Sequence, residues 1–198
     1  MNSLILFAER AGITGYPLLI LAVFTGAVVC ERIVYYIRLG MKYRGFSHSK
    51  YRDFVKKRER IPDDSHYVTG IFNRYFPEYT HTALETAKQY FEAEWNESNR
   101  YIKFLEYSVG IAPLLGILGT ITGIIKSFSA MGNFSSEVRA IITGGIAEAL
   151  ITTAAGLIIA VIALTALYIF KWFQKKWFQP VEECLTLLEA ALKDSVHE

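Results

Sequence analysis

Three long apolar runs limit what this chain can fold into. A helix needs about 20 mostly apolar residues to cross a bilayer. Ala11–Cys30 and Tyr107–Ile125 supply them without a charge, and Ala140–Phe170 does so with one ionisable interruption, Glu148. Inside lipid, backbone amides must be satisfied within their own segment, so isolated runs of this length imply helices. The expected fold is an all-α integral membrane protein with three transmembrane helices. The first should be helical from Tyr16 to Ile37, and helices two and three should be long and extend into the cytoplasm. At 1.5 Å per residue the third run is about 45 Å long, more than a hydrocarbon core of roughly 30 Å requires.

Orientation follows from lysine and arginine, which favour the cytoplasmic side. Residues 38–106 contain 13 of the 21 basic residues, whereas only Lys126 and Arg139 flank the short loop between spans two and three. Lys171, Lys175 and Lys176 follow span three directly. The chain thus divides into a periplasmic N-terminus with the first span (1–38), a cytoplasmic helical segment (39–106) and span two (107–130). A periplasmic loop (131–139), span three (140–171) and a cytoplasmic C-terminal helix (172–198) follow. Tyr168, Trp172 and Trp177 suit an interfacial anchor at the inner end of span three. Glu9 and Arg10 precede the first run with no A-x-A cleavage pattern, so it reads as a retained helix and not a signal peptide.

The flanking segments carry a helical period. Leu84, Ala87, Phe91, Trp95, Ser98, Ile102 and Leu105 recur three and four apart, and the stretch runs towards span two with no Pro or Gly before Gly110. One continuous helix is the expectation there. Val181, Leu185, Leu188, Ala191 and Leu192 repeat the pattern after span three. Pro62 and Pro77 mark breaks in the Arg44–Tyr79 part. A net charge of +2 with no long basic run argues against a nucleic-acid partner. Cys30 lies in an apolar run and Cys184 in a charged tail, which argues against a structural disulfide. His48, His66, His81 and His197 have no metal-like spacing. The glycine-rich stretch of span two lacks the Lys-Ser/Thr ending of a phosphate loop. No catalytic constellation, cofactor or metal is expected.

Spans two and three each carry a stripe of small residues. In span two it is Gly116, Thr120, Gly123 and Ser127, with Gly119 close by. In span three it is Gly145, Ala149, Thr152 or Thr153, Gly156 and Ala160. Small residues let helices approach closely in lipid, which accounts for the glycines. The threonines have two readings. Each hydroxyl can bond back to its own helix one turn earlier, or Thr120 and Thr153, at similar depth, can meet and orient water or protons. Glu148 is costly, since an acid at the bilayer centre costs roughly 2.5–3.5 kcal/mol and calls for a partner or a wet cavity. It is either a buried group of this kind or a residue of the outer interface. Thr152 shares its face and joins Thr120, Glu148 and Thr153 as a candidate of the proton pathway, and Thr153 is about 140° around from Glu148. Lys126, at the outer end of span two, reads as a snorkelling anchor.

The run Ala112-Pro113-Leu114-Leu115-Gly116-Ile117-Leu118-Gly119-Thr120, followed by Gly145-Ile146-Ala147-Glu148-Ala149-Leu150 with Thr153 and Gly156-Leu157, resembles the ExbB/TolQ branch of the MotA/TolQ/ExbB proton-channel family. The resemblance implies a homopentamer in the cell inner membrane whose spans two and three line a pore. In that pore would sit two helices of an ExbD/TolR-like single-span partner. Proton flow would be converted into work on a TonB- or TolA-like envelope protein. It also implies that Thr120 and Thr153 are pore threonines and Glu148 the family's span-three glutamate. The short N-terminus and the compact 39–106 loop leave ExbB-like and TolQ-like roles open. The alternative is a structural membrane scaffold with no ion path.

Overall fold

The computed structural model describes residues 12–42, 81–129 and 136–194. The expectations for Arg44–Tyr79 and for most of the loop after span two lie outside them. The described residues form four helices: α1 (Gly12–Lys42), α2 (His81–Asn99), α3 (Ile102–Ser129) and α4 (Ser136–Asp194). The chain is all-helical, and three helical stretches are long and apolar enough to cross a membrane, within Gly12–Met41, Leu84–Ser129 and Val138–Leu187.

α4 continues for 59 residues, about 90 Å by helix rise, with Pro180 inside it. The proline leaves the Lys176 carbonyl without its usual partner. The expected continuous helix into span two is broken instead. α2 ends at Asn99, where the Arg100 amide donates to the Asn96 and Glu97 carbonyls (3.0 and 3.3 Å). Tyr101 then takes a left-handed conformation with φ 64°. That conformation is common just past a helix end but is normally left to Gly or Asn. A non-glycine residue there carries about 1–3 kcal/mol of strain. α3 restarts with the Leu105 amide on the Tyr101 carbonyl, at 3.2 Å.

The chain divides into two compact units. The first unit, Met1–Glu31 with Tyr101–Tyr168, is organised around α3 and α4. Their contacts run in opposite directions along the two helices. Ser127 meets Ile142, Gly123 meets Gly145 and Ala149, Gly119 meets Thr152, and Gly156 meets Ala112. The helices are therefore antiparallel neighbours. Leu18 of α1 packs with Ala112, Ile159 and Ala160, all buried, and Leu115, Leu21 and Ala22 close over them. Thr25 donates to the Ser108 hydroxyl at 3.2 Å, and the Ser108 hydroxyl in turn donates to the Phe104 carbonyl at 2.9 Å.

The second unit, Arg32–Arg100 with Ile169–Glu198, is built from larger side chains. Phe178 is 1% exposed and meets Phe91 and Trp95 edge-on at 6.0 and 5.5 Å. Tyr36 stacks on Phe170 and Phe173. Of the expected periodic face, Leu84, Ala87 and Ser98 are buried, together with Val181, Cys184 and Leu185 of α4, while Phe91 is half-buried and Trp95 exposed. Neither cysteine forms a disulfide; Cys30 is exposed and Cys184 buried. Arg32, a charge inside the first apolar helix, is wholly buried. It donates to the Glu97 carbonyl at 2.8 Å and the Ser98 carbonyl at 3.3 Å, and lies 4.5 Å above the Tyr35 ring. The last carbonyls of α2 are only partly satisfied by the chain's own amides and carry the negative end of the helix dipole, which suits a guanidinium. Gln174 completes the cluster by donating to Ser98 Oγ (3.1 Å) and Asn99 Oδ1 (2.9 Å).

Candidate functional site

The sequence places its unusual residues on α3 and α4, and the first unit brings most of them into one seam. The α3 side is Ala112, Gly116, Gly119, Gly123 and Ser127, all buried. Their four- and three-residue spacing puts them on one helix face. Opposite lie Gly145, Ala149, Thr152 and Gly156, also buried. The fit leaves no room for side chains. A methyl group at Gly156 would lie 2.5 Å from the Ala112 carbonyl oxygen, and one at Gly145 would lie 2.7 Å from the Gly123 carbonyl oxygen. At Gly119 it would occupy the place of the Thr152 side chain. The glycines are thus explained by close approach.

The threonines separate. Thr152 is wholly buried and donates within its own helix, to the carbonyls of Ala149 (2.9 Å) and Glu148 (3.1 Å). Thr153 crosses the seam, its hydroxyl donating to the Gly116 carbonyl at 3.0 Å. Such an interhelical bond is worth about 0.6 kcal/mol in a membrane protein. Thr120 bonds back to Ile117 at 2.6 Å and sits beside the packed face, not in it. The expected meeting of Thr120 with Thr153 within one subunit is therefore not found. Gly119 holds the seam position, one residue and about 100° away, where i+4 spacing from Gly116 had suggested Thr120.

Glu148 is 12 residues into α4 and only 11% exposed, and it has a partner. Lys126 Nζ donates to its Oε2 at 2.9 Å. Lys126, read from the sequence as a snorkelling anchor, also reaches across to span three. The second carboxylate oxygen, Oε1, lies against Gly12 at the start of α1, where any side chain would collide with it. Gly12 also has φ 60°, a conformation that suits glycine. Ser127, next to Lys126, shares its hydroxyl between the Gly123 (2.9 Å) and Ile142 (3.2 Å) carbonyls and fixes the register of the two helices. Gly12, Arg32 and the pairing of Lys126 with Glu148 are what sequence reasoning missed. A charge at the end of each of two antiparallel runs was the available signal for the pairing. A lone arginine in an apolar helix was the signal for Arg32.

Among the described residues no group of three or more His, Cys, Asp or Glu side chains is placed to hold a metal ion. What the seam offers is hydroxyls, backbone carbonyls and one ion pair, a chemistry of proton and water contacts.

Residues 59–183 match the MotA/TolQ/ExbB proton channel family, and that stretch contains the whole seam. The chain belongs to this family. It is accordingly a multi-pass membrane protein of a channel and transport family, not an enzyme. Among curated relatives it is 34% identical over 166 residues to the biopolymer transport protein ExbB-like 1 of Synechocystis, covering 78% of this chain and 65% of that protein. It is 40% identical over 60 residues to the biopolymer transport protein ExbB of Salmonella typhimurium, covering 30% and 25% respectively. It is 37% identical over 65 residues to the Tol-Pal system protein TolQ of Haemophilus influenzae, covering 33% and 28%. The chain thus spans less than two thirds of the length of these relatives.

Proposed function

We propose that this protein is the pore-forming subunit of an inner-membrane motor driven by the proton gradient. Five copies surround a pore lined by spans two and three. Two single-span helices of an ExbD/TolR-like partner occupy the pore and carry the titrating carboxylate. The motion is passed to a TonB- or TolA-like envelope protein, energising outer-membrane uptake or a Tol-type envelope process. The loops rich in lysine and arginine lie in the cytoplasm.

The observation that carries this reading is the Thr153 hydroxyl donating across the seam to the Gly116 carbonyl. The bond contributes to packing, and the same hydroxyl can also serve protons. A hydroxyl keeps lone pairs beside the helix interface, where a proton on a neighbouring carboxylate can be handed over or held by water. Thr120 supports it from the other side, because it stands outside the packed face and is left for a neighbouring copy or the partner. The exposed apolar side chains around it, Ile117, Leu118 and Ile121, also require lipid or another subunit to cover them. The energy scale fits, since one charge crossing 100 mV supplies about 2.3 kcal/mol.

Native mass spectrometry of the protein purified in detergent, alone and co-expressed with a single-span ExbD/TolR-like protein, tests the assembly. The expected result is five copies, gaining two of the partner. A stable monomer or dimer that ignores the partner would remove the pore.

A further inference from the structure

The family assignment directs attention to Glu148 as a candidate proton carrier, but its surroundings suggest a different task. A relay needs a lone pair open to the path. Here Oε2 takes the ammonium of Lys126 at 2.9 Å. Oε1 faces Gly12, in the space that a side chain on that residue would take. The carboxylate is 11% exposed, whereas Lys126 is 61% exposed. The helices on either side are held without slack. Gly123 and Gly145 are in backbone contact, a methyl group at Gly123 would lie 2.9 Å from Ala149 Cβ, and Thr152 bonds the Glu148 carbonyl. The pair therefore links the ends of three helices, α1, α3 and α4, at one point of the first unit.

We propose that Lys126 is a positioning residue for Glu148, and that Glu148 serves the motor as the fixed half of this ion pair and not as the group that carries the proton. The inference rests on the motor reading above. It assigns proton transfer to a carboxylate of the partner, moving past Thr153 and Thr120. Lys126 and Glu148 keep spans two and three in register while that transfer occurs. A pair of this kind is judged by whether its members compensate for each other, which a carrier cannot do.

The test uses the full chain co-reconstituted with its single-span partner in vesicles loaded with a pH-sensitive dye, with an imposed proton gradient. E148Q and K126Q should each lower partner-dependent proton flux at least tenfold, and K126R should stay within threefold of the unaltered protein. The decisive variants are the swap K126E/E148K and the neutral double K126Q/E148Q. Recovery of either to at least threefold above E148Q supports the positioning role. Both remaining at the E148Q level, in protein that still unfolds cooperatively, overturns it and makes Glu148 the carrier. Thermal unfolding of the singles and the neutral double supplies an independent reading. Shifts that add without coupling count against the pair, and non-additive shifts count for it. If the unaltered protein with its partner passes no more protons than vesicles lacking the partner, the motor reading fails. The thermal comparison alone then decides the pair.

Discussion

The two units of this chain solve the same packing problem with opposite materials. In the first, α3 and α4 meet through what is missing: Gly116, Gly119, Gly123, Gly145 and Gly156 let backbone touch backbone. In the second, Phe178, Tyr36, Phe170 and Leu84 fill the interior with large side chains, and Arg32 and Gln174 tie up the end of α2. The difference is the one that lipid around the first unit and water around the second would produce. Lipid is as apolar as leucine, so burying leucine against leucine gains little there, and close van der Waals approach with interhelical hydrogen bonds has to hold the helices. Where water is the alternative, each buried aromatic contributes its full transfer free energy.

The comparison can be broken most forcefully at Gly145. Leucine there would drive into Ser127 Oγ and the Gly123 carbonyl, and overpacking without room to relax costs about 3 kcal/mol or more. Because total stability is small, G145L should yield little folded subunit, measured as the monodisperse fraction after purification. At its neighbour Gly144 an added methyl group would meet nothing within 4 Å, so G144A should purify as the unaltered protein does. Equal yields from G145L and G144A would contradict the seam. Next in size is F178A, which empties the space between Phe91 and Trp95. Removing a buried phenylalanine costs about 3–5 kcal/mol, read as a lower midpoint of thermal unfolding. A loss below about 1 kcal/mol would mean that the second unit is not held by its aromatic core.

The smallest expected effect is electrostatic. The Glu189 carboxyl, which receives hydrogen bonds from the ammonium groups of Lys88 (2.8 Å) and Lys193 (2.9 Å), is pushed down to about 2 from an ordinary 4.5. A group whose folded value is depressed stabilises the fold fully above its unfolded value and loses that contribution as the pH falls towards the folded one. The advantage of the unaltered protein over E189Q should therefore hold from pH 7 to 5 and shrink between about 4.5 and 2. It should be small throughout and weaker in salt, since the pair is solvent-accessible. An advantage that grows below pH 4 would reverse the sign of this assignment.

Much of this architecture is legible in the sequence because hydropathy and small-residue spacing are local signals. The three spans, the Gly145–Ala149–Gly156 face and the Leu84–Ala87–Ser98 face all follow from them. What escaped was of two kinds. The phase of a stripe is ambiguous between three- and four-residue steps, and that ambiguity put Thr120 where Gly119 stands. The second kind depends on partners distant in sequence: Lys126 reaches Glu148 across 22 residues, and Arg32 reaches Glu97 across 65. The break at Tyr101 had no glycine or proline to announce it.

The central proposal is that the hydroxyl in the seam serves protons as well as packing, and Thr153→Val tests it most directly. Valine has nearly the same shape and removes only the bond to Gly116. The account predicts the same copy number by native mass spectrometry, a stability change of about 0.6 kcal/mol, and at least a tenfold loss of partner-dependent proton flux in vesicles. A variant that passes protons within twofold of the unaltered protein would contradict the account and leave the seam as a scaffold with no ion path.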